Sequence, residues 1–318
     1  MTALTQSATG KPNTENRWWT YQHERFSLVA YGALALAVAS MAIGYSMLLR
    51  GAPGLPAWTT LLAASVSALA MFATMRAADE FKDRDDDARW RPYRPVPRGL
   101  VTLRELGRIV AGAAVLQLAV AASFGLTTVL TLLLMWGWFA LMSKEFFAPG
   151  WLKARPLLYM LTHLPISGLI ALHLSAFDWS QATGTQVIGL PPPGIGLLFA
   201  IAFGFGALLE IGRKLRAPQD EEPGVVTYTA VWGMRRALAA WFVTLVGLLG
   251  VATAVAARFG VIVPFAIGAG VALVIAILAS YRYLRAPDKR NATFLDTFSR
   301  VVTLLGYGGL YPLALWLN

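Results

Sequence analysis

Apolar residues in this chain run in blocks of about twenty, and the short connections between them hold nearly all the charge. A transmembrane helix needs about 20 predominantly apolar residues. Blocks near 26–49, 57–80, 104–122, 125–147, 154–174, 193–214, 230–254, 261–283 and 294–316 therefore predict nine spans and an all-α, polytopic membrane fold. Residues 26–318 make up this membrane domain. Residues 1–25 precede it as a polar segment with no apolar core and cleavage site of a signal peptide. Trp18, Trp19 and Tyr21, beside Arg17 and Arg25, read as an interfacial anchor.

Charge then orients the bundle. The N-terminal segment and the 2–3, 4–5, 6–7 and 8–9 connections, with their flanking helix ends, carry nearly all of the 27 basic residues. The opposite side keeps only Arg50 and Arg258, which predicts a cytoplasmic N-terminus and an outside C-terminus, in a bacterial inner membrane. Two outer connections, a turn at 51–56 and a polar loop at 175–194 with Asp178 as its only acid, show no chemistry.

Composition narrows the chemistry. With 57% hydrophobic and 14% charged residues, the chain is too apolar for a soluble domain, whose charged share is about 25%. The net charge of +10 reports topology rather than a nucleic-acid partner. The absence of cysteine excludes disulfides and thiolate metal sites. His23 is remote, and His163 and His173 lie towards opposite ends of one span, which argues against a histidine-rich metal site.

The most informative stretch is 79–108, DEFKDRDDDARWRPYRPVPRGLVTLRELGR. If the second span continues into it, Asp79, Asp83 and Asp87 fall at i, i+4 and i+8 on one face, with Asp86 beside them and Glu80 one step around. Such crowded carboxylates repel unless a cation sits among them. They suit Mg²⁺, which takes one or two carboxylates and fills its other positions with water and phosphate oxygens. Arg89, Arg91, Arg94 and Arg98 follow, and arginine forks match phosphate geometry. Acid for metal beside base for phosphate, at a membrane surface, points to a lipid diphosphate. The plainer alternative is a solvated charge run on a cytoplasmic loop.

These residues resemble the first signature of the UbiA superfamily of intramembrane prenyltransferases, N-D-x-x-D-x-x-x-D followed by R-P-x-R-P-x-x-x-G. Asp83 and Asp87 match its last two aspartates and Glu80 its first, while Asp79 stands where asparagine is usual. The resemblance implies a nine-helix bundle around a central cavity open to the cytoplasmic side and to lipid. It further implies Mg²⁺ on Asp79, Glu80, Asp83 and Asp87, with Arg91, Arg94 and Arg98 on the diphosphate of an isoprenoid substrate. The implied reaction is transfer of the prenyl group to an aromatic or other small acceptor. Some related proteins instead cyclise the isoprenoid with no acceptor. A membrane transporter or lipid-binding protein is the non-enzymatic alternative.

The family's second motif, D-x-x-x-D, is expected after the sixth span. At 210–224 the chain reads EIGRKLRAPQDEEPG, which sets Asp220 on the second aspartate and Arg216 on the first. The departure leaves the second metal pair incomplete, or rebuilt from Glu210, Asp220, Glu221 and Glu222, with Arg213 and Lys214 on the diphosphate. An ion pair of Glu210 with Arg213 and Lys214, at i+3 and i+4 on its own helix, is the competing reading. Glu145, His163 and Asp296 are candidate bases or acceptor contacts. Tyr93, Tyr228 and Tyr281 read as belt residues.

Overall fold

The computed structural model describes residues 16–317 apart from Pro53 and Pro223. The first fifteen residues of the expected interfacial segment lie outside it. Its remainder is a short helix, α1 (Arg17–Arg25), capped by the Asn16 side chain, which accepts from Trp18 N–H. Long helices follow: α2 (Leu28–Leu49), α3 (Trp58–Lys82), a short α4 (Arg84–Trp90), α5 (Leu103–Phe124) and α6 (Leu126–Ser143). Two short elements, α7 (Pro149–Lys153) and α8 (Pro156–His163), lead into α9 (Pro165–Thr183) and α10 (Ile195–Arg213). The chain closes with α11 (Tyr228–Trp232), α12 (Met234–Arg258), α13 (Ile262–Arg285) and α14 (Lys289–Leu317). No strand occurs among the described residues.

Eight helical segments among the described residues are long and apolar enough to cross a membrane, and they coincide with the first eight predicted blocks. In the ninth place stands α14, 29 residues long, which packs against α2 and α10. It is more polar than the others: Ser299 and Thr303 are buried in it, and Asp296 pairs with Arg300. The fifth span is α8 and α9 together, Pro156–Thr183, broken at Pro165, whose missing N–H interrupts the helical ladder.

The centre of the bundle is α2, α9 and α10, with α3 and α5 on one flank and α12, α13 and α14 on the other. Small residues let these helices approach closely, as is usual where lipid supplies no hydrophobic drive. The Tyr311 ring of α14 lies on Gly44 of α2 so tightly that a Cβ there would collide with it. Polar side chains also join helices. His173 of α9, 1% exposed, bridges Ser67 of α3 at 3.0 Å and Thr131 of α6 at 3.1 Å.

One expectation needs correction. The segment 175–194 is not all loop, because α9 continues to Thr183 and buries Asp178. Arg50, at the end of α2, makes this possible: its Nε and Nη2 donate to the two Asp178 oxygens at 3.0 and 2.7 Å. A carboxylate paired in this way tolerates burial that it would not tolerate alone.

Candidate functional site

At the opposite end from Arg50, three groups of polar residues converge. The first grows from α3, which carries Arg76, Asp79, Glu80 and Lys82 to its last turn. The helix does not run unbroken through the acids, as the ladder expected, but turns at Asp83 (φ −90°, ψ 8°) into α4. Register nevertheless survives, with Asp83 N–H on Asp79 C=O at 2.9 Å and Asp87 N–H on Asp83 C=O at 2.7 Å.

Each acid then finds different company. Glu80, 2% exposed, faces α1, and its Oε1 accepts from Arg25 Nε at 2.7 Å and Arg76 Nη2 at 3.0 Å. Asp87, equally buried, accepts from Arg94 Nη1 on both oxygens, with Arg91 Nε 2.9 Å from Oδ1. Arg98 turns away to the Tyr93 carbonyl and to Glu24, each at 2.8 Å. Asp79 is exposed, with Arg76 3.7 Å away. Asp83 is half-buried, and burial, reinforced by the charges of Asp79 and Asp87, pushes its carboxyl above the ordinary aspartate range.

A metal therefore meets a divided donor set. Among the described residues no three acids or histidines group as a ready-made cage. Glu80 and Asp87 are neutralised by arginines, whereas Asp79 and Asp83 repel each other. Two carboxylates in want of a cation fit Mg²⁺, which completes its shell with water and phosphate.

The second group lies at the end of α10. Glu210 accepts from Arg213 Nε at 2.7 Å and pairs with Lys214 at 2.8 Å, so the intrahelical ion pair does form. Asp79 lies within electrostatic reach of Arg213. Tyr228 is no belt residue: it is buried, stacks on Trp232 with centroids 4.4 Å apart, and has Lys214 over its ring at 5.1 Å. Burial, then Glu210 beside it, raises the Tyr228 phenol. Tyr93 and Tyr281, by contrast, are exposed.

Asp220 does not join Glu210 in a common donor set. It lines a cavity of ≈ 370 Å³ with Arg213, Arg216, Lys289 and Asp296. Asp296 is held there by Arg300 at 2.8 Å. Arg216, where the resemblance expects an aspartate, ties its own loop by donating to the Asp220 carbonyl and to Glu222, both at 3.2 Å. Glu221 accepts from Thr227 and Thr229.

One contact brings the two faces together. Gly224 (φ +75°) lies against the Trp90 ring at the end of α4, where a Cβ would stand 2.5 Å from Cδ1. Glycine alone fits here on both counts, since a left-handed backbone and a ring at that range each exclude a side chain.

The third group was only half legible. Glu145 and His163 were candidates, but the structure adds Lys82 and Tyr159. Lys82 Nζ pairs with Glu145 Oε1 and bonds the Tyr159 hydroxyl, which donates to Glu145 Oε1 at 3.1 Å. The Tyr159 and His163 rings stack at 4.0 Å. Lys82 sat inside the acidic signature as one more charge, and only its placement at the last turn of a span hinted at an inward partner.

Fold and site thus define a polytopic helical membrane protein with acidic and basic faces meeting at one end of its bundle. A family model described as the UbiA prenyltransferase family matches residues 35–304, and the chain belongs to that family. No curated protein matches it. Among solved structures, the apo form of a UbiA homolog from Aeropyrum pernix K1 has a TM-score of 0.60 at 17% identity, covering 85% of this chain and 96% of that one. A digeranylgeranylglyceryl phosphate synthase scores 0.57 at 14% identity, covering 94% and 99%. A UbiA homolog from Archaeoglobus fulgidus bound to GPP and Mg²⁺ scores 0.50 at 13% identity, covering 93% and 100%. At these identities the likeness is one of fold.

Proposed function

We propose that this chain is a Mg²⁺-dependent membrane prenyltransferase that ionises an isoprenoid diphosphate and passes the prenyl group to a small acceptor. The observation that carries the reading is that Asp79, four residues before Asp83, lies within electrostatic reach of Arg213, while the Trp90–Gly224 contact joins the end of α4 to the loop after α10. Family membership and the relative named with GPP and Mg²⁺ support it.

Asp79 and Asp83 would hold Mg²⁺, and Glu80 and Asp87 are the acids through which arginines are positioned. Bound Mg²⁺ supplies charge neutralisation to a leaving diphosphate. Arg91, Arg94, Arg213 and Lys214 bind and orient the diphosphate, and their charge stabilises what builds on it as the allylic C–O bond breaks. The prenyl tail lies among the helices, in a nine-span bundle that counts α14, where water is excluded from the cation. Arg98, held by Glu24, is a loop brace in this reading. Asp220 and Asp296 form the polar rim. The basic end faces the cytoplasm, in a bacterial inner membrane.

The test is to incubate purified protein with Mg²⁺ and geranyl diphosphate and measure diphosphate release with and without small acceptors. Acceptor-dependent release supports transfer. Release without acceptor, with a cyclic hydrocarbon product, identifies a cyclase. No release with any isoprenoid diphosphate overturns the enzymatic reading.

A further inference from the structure

The cavity of ≈ 370 Å³ beside the loop after α10 lies where the family's second metal is expected, but its donors do not fit one. Of the four acids that line it, three are already engaged. Glu221 accepts from the Thr227 and Thr229 hydroxyls, each at 2.6 Å. Glu222 accepts from Arg216 at 3.2 Å, and Asp296 is paired with Arg300 at 2.8 Å. Glu210, on the helix behind, is held by Arg213 and Lys214. Asp220 is the one acid of the loop whose carboxylate has no hydrogen bond or ion pair among the described residues. Beside it stands a cation, because Arg216 Nη1 is 3.2 Å from the Asp220 carbonyl. Arg213 and Lys289 add two more positive charges to the same wall. A divalent ion placed here would meet one open carboxylate and the repulsion of three cations.

Arg216 itself is built in rather than loosely placed. Its N–H donates to Thr229 Oγ1 at 3.1 Å, and its carbonyl accepts from the Tyr283 hydroxyl of α13 at 2.7 Å. Leu215 and Ala217 on either side are buried. Both backbone groups are thus fixed, and the side chain is positioned before any ligand arrives. Within the loop its guanidinium uses Nη1 alone, on the Asp220 carbonyl and Glu222. Nε and Nη2 have no hydrogen-bond partner among the described residues, and the side chain, 34% exposed, lines the cavity. The cavity also adjoins the first metal's acids, since Arg213 in its wall is within electrostatic reach of Asp79. Gly224, in the same loop, lies against Trp90 at the end of α4.

We infer that Arg216 stands in for a second metal ion: the chain binds its isoprenoid diphosphate with a single Mg²⁺, on Asp79 and Asp83, and the Arg216 guanidinium grips the diphosphate from the α10 side. This rests on the transfer reading above. A guanidinium suits the place because its planar fork matches two phosphate oxygens and stays charged at every working pH. Its charge belongs to the chain, so a chelator removes only the ion on the α3 side.

The test counts metal ions rather than turnover. Mn²⁺ replaces Mg²⁺, and its binding to the detergent-solubilised full chain is followed by loss of the free-ion electron paramagnetic resonance signal. Geranyl thiodiphosphate, whose C–S bond resists ionisation, is present at one per chain. The unaltered protein should bind one Mn²⁺, and a count of two overturns the inference. Arg216→Gln should leave the count at one and weaken binding of the analogue about tenfold or more. Unchanged affinity in that variant overturns the grip assigned to Arg216. Arg216→Asp, which restores the D-x-x-x-D spacing with Asp220, should raise the count to two. A count of one there, with the analogue still bound, overturns Arg216 as the group that keeps the second ion out. The count in the unaltered protein needs no variant, so it decides between one metal and two even if neither variant folds. Failure of the analogue to bind the unaltered protein overturns the transfer reading beneath it.

Discussion

Asp87 and Arg94 hold each other across the turn that leaves α4: Arg94 Nη1 donates to both carboxylate oxygens, at 2.9 and 2.8 Å. The acid and the base of one signature thus satisfy one another before any substrate arrives. On the function proposed above, a diphosphate would compete with Asp87 for Arg94 rather than meet a free cation.

Removing one partner of a buried pair costs about 3–5 kcal/mol. When Arg94 is removed, Arg91, 2.9 Å from Asp87, still partners the carboxylate and should hold the loss to the low end of that range, whereas removing Asp87 leaves both arginines without it. Arg94→Ala should therefore lower thermal stability in detergent and weaken geranyl diphosphate binding without altering acceptor preference. The Asp87→Ala/Arg94→Ala double variant should be less destabilised than the sum of the singles, with a coupling of about 0.5–3 kcal/mol. Strict additivity would show that the pair is not coupled.

Asp83 should behave in the opposite way. Its carboxyl sits above the ordinary range because burial and the charges of Asp79 and Asp87 disfavour ionisation. The folded state therefore binds this proton more tightly than the unfolded chain does. Its stabilising contribution is complete below the unfolded pKa and is lost as pH rises through the higher folded value. At neutral pH the ionised group is a burden. Asp83→Asn should raise the melting temperature of the metal-free protein while cutting turnover roughly 100-fold or more. Mg²⁺ should stabilise the unaltered protein and not the variant. A variant that melts lower than the parent without metal would show that Asp83 is a structural partner instead.

Eight of the nine predicted blocks were legible as spans because each is long and apolar enough to cross a membrane, and polar residues cluster where α3, α6 and α10 end. What could not be read was the partner of each charge. Glu80 and Asp87 looked alike in the ladder, yet the turn at Asp83 sends one to Arg25 and the other to Arg94. Asp178 looked like a loop acid because its partner, Arg50, lies 128 residues away. Tyr228 looked like a belt residue for the same reason, since only the folded chain sets it beside Lys214. Pairing across the bundle is a property of packing, and a linear pattern of charge carries it only within one helix.

Topology gives the third prediction, and the absence of cysteine makes it simple to test. Gln186, in the connection after α9, and Arg290, at the start of α14, are both exposed. Single cysteines at these two positions should be labelled by an impermeant thiol reagent from opposite sides of the membrane. The charge distribution puts position 290 in the cytoplasm. Labelling of both from one side would break the span count between them.

The last prediction concerns the turn that carries Glu145. Each left-handed non-glycine residue costs about 1–2 kcal/mol, and Glu145, Phe146 and Phe147 are three in a row. Phe147 is 78% exposed, so glycine there gives up little packing within the protein. Glycine in place of an ordinary residue costs about 0.5–1 kcal/mol in chain freedom. Relief of strain should outweigh that, and Phe147→Gly should be more stable than the parent by about 0.5–1 kcal/mol. Phe146→Gly removes the same strain but also the ring that packs on Trp138 and His163. Losing a large apolar side chain from a packed site costs about 3–5 kcal/mol when fully buried. That exceeds the strain recovered, so the second variant should be the less stable of the two. Thermal unfolding of both in one detergent checks the order. If both are destabilised alike, the left-handed turn is held by the chain on either side of it and stores no strain at Phe147.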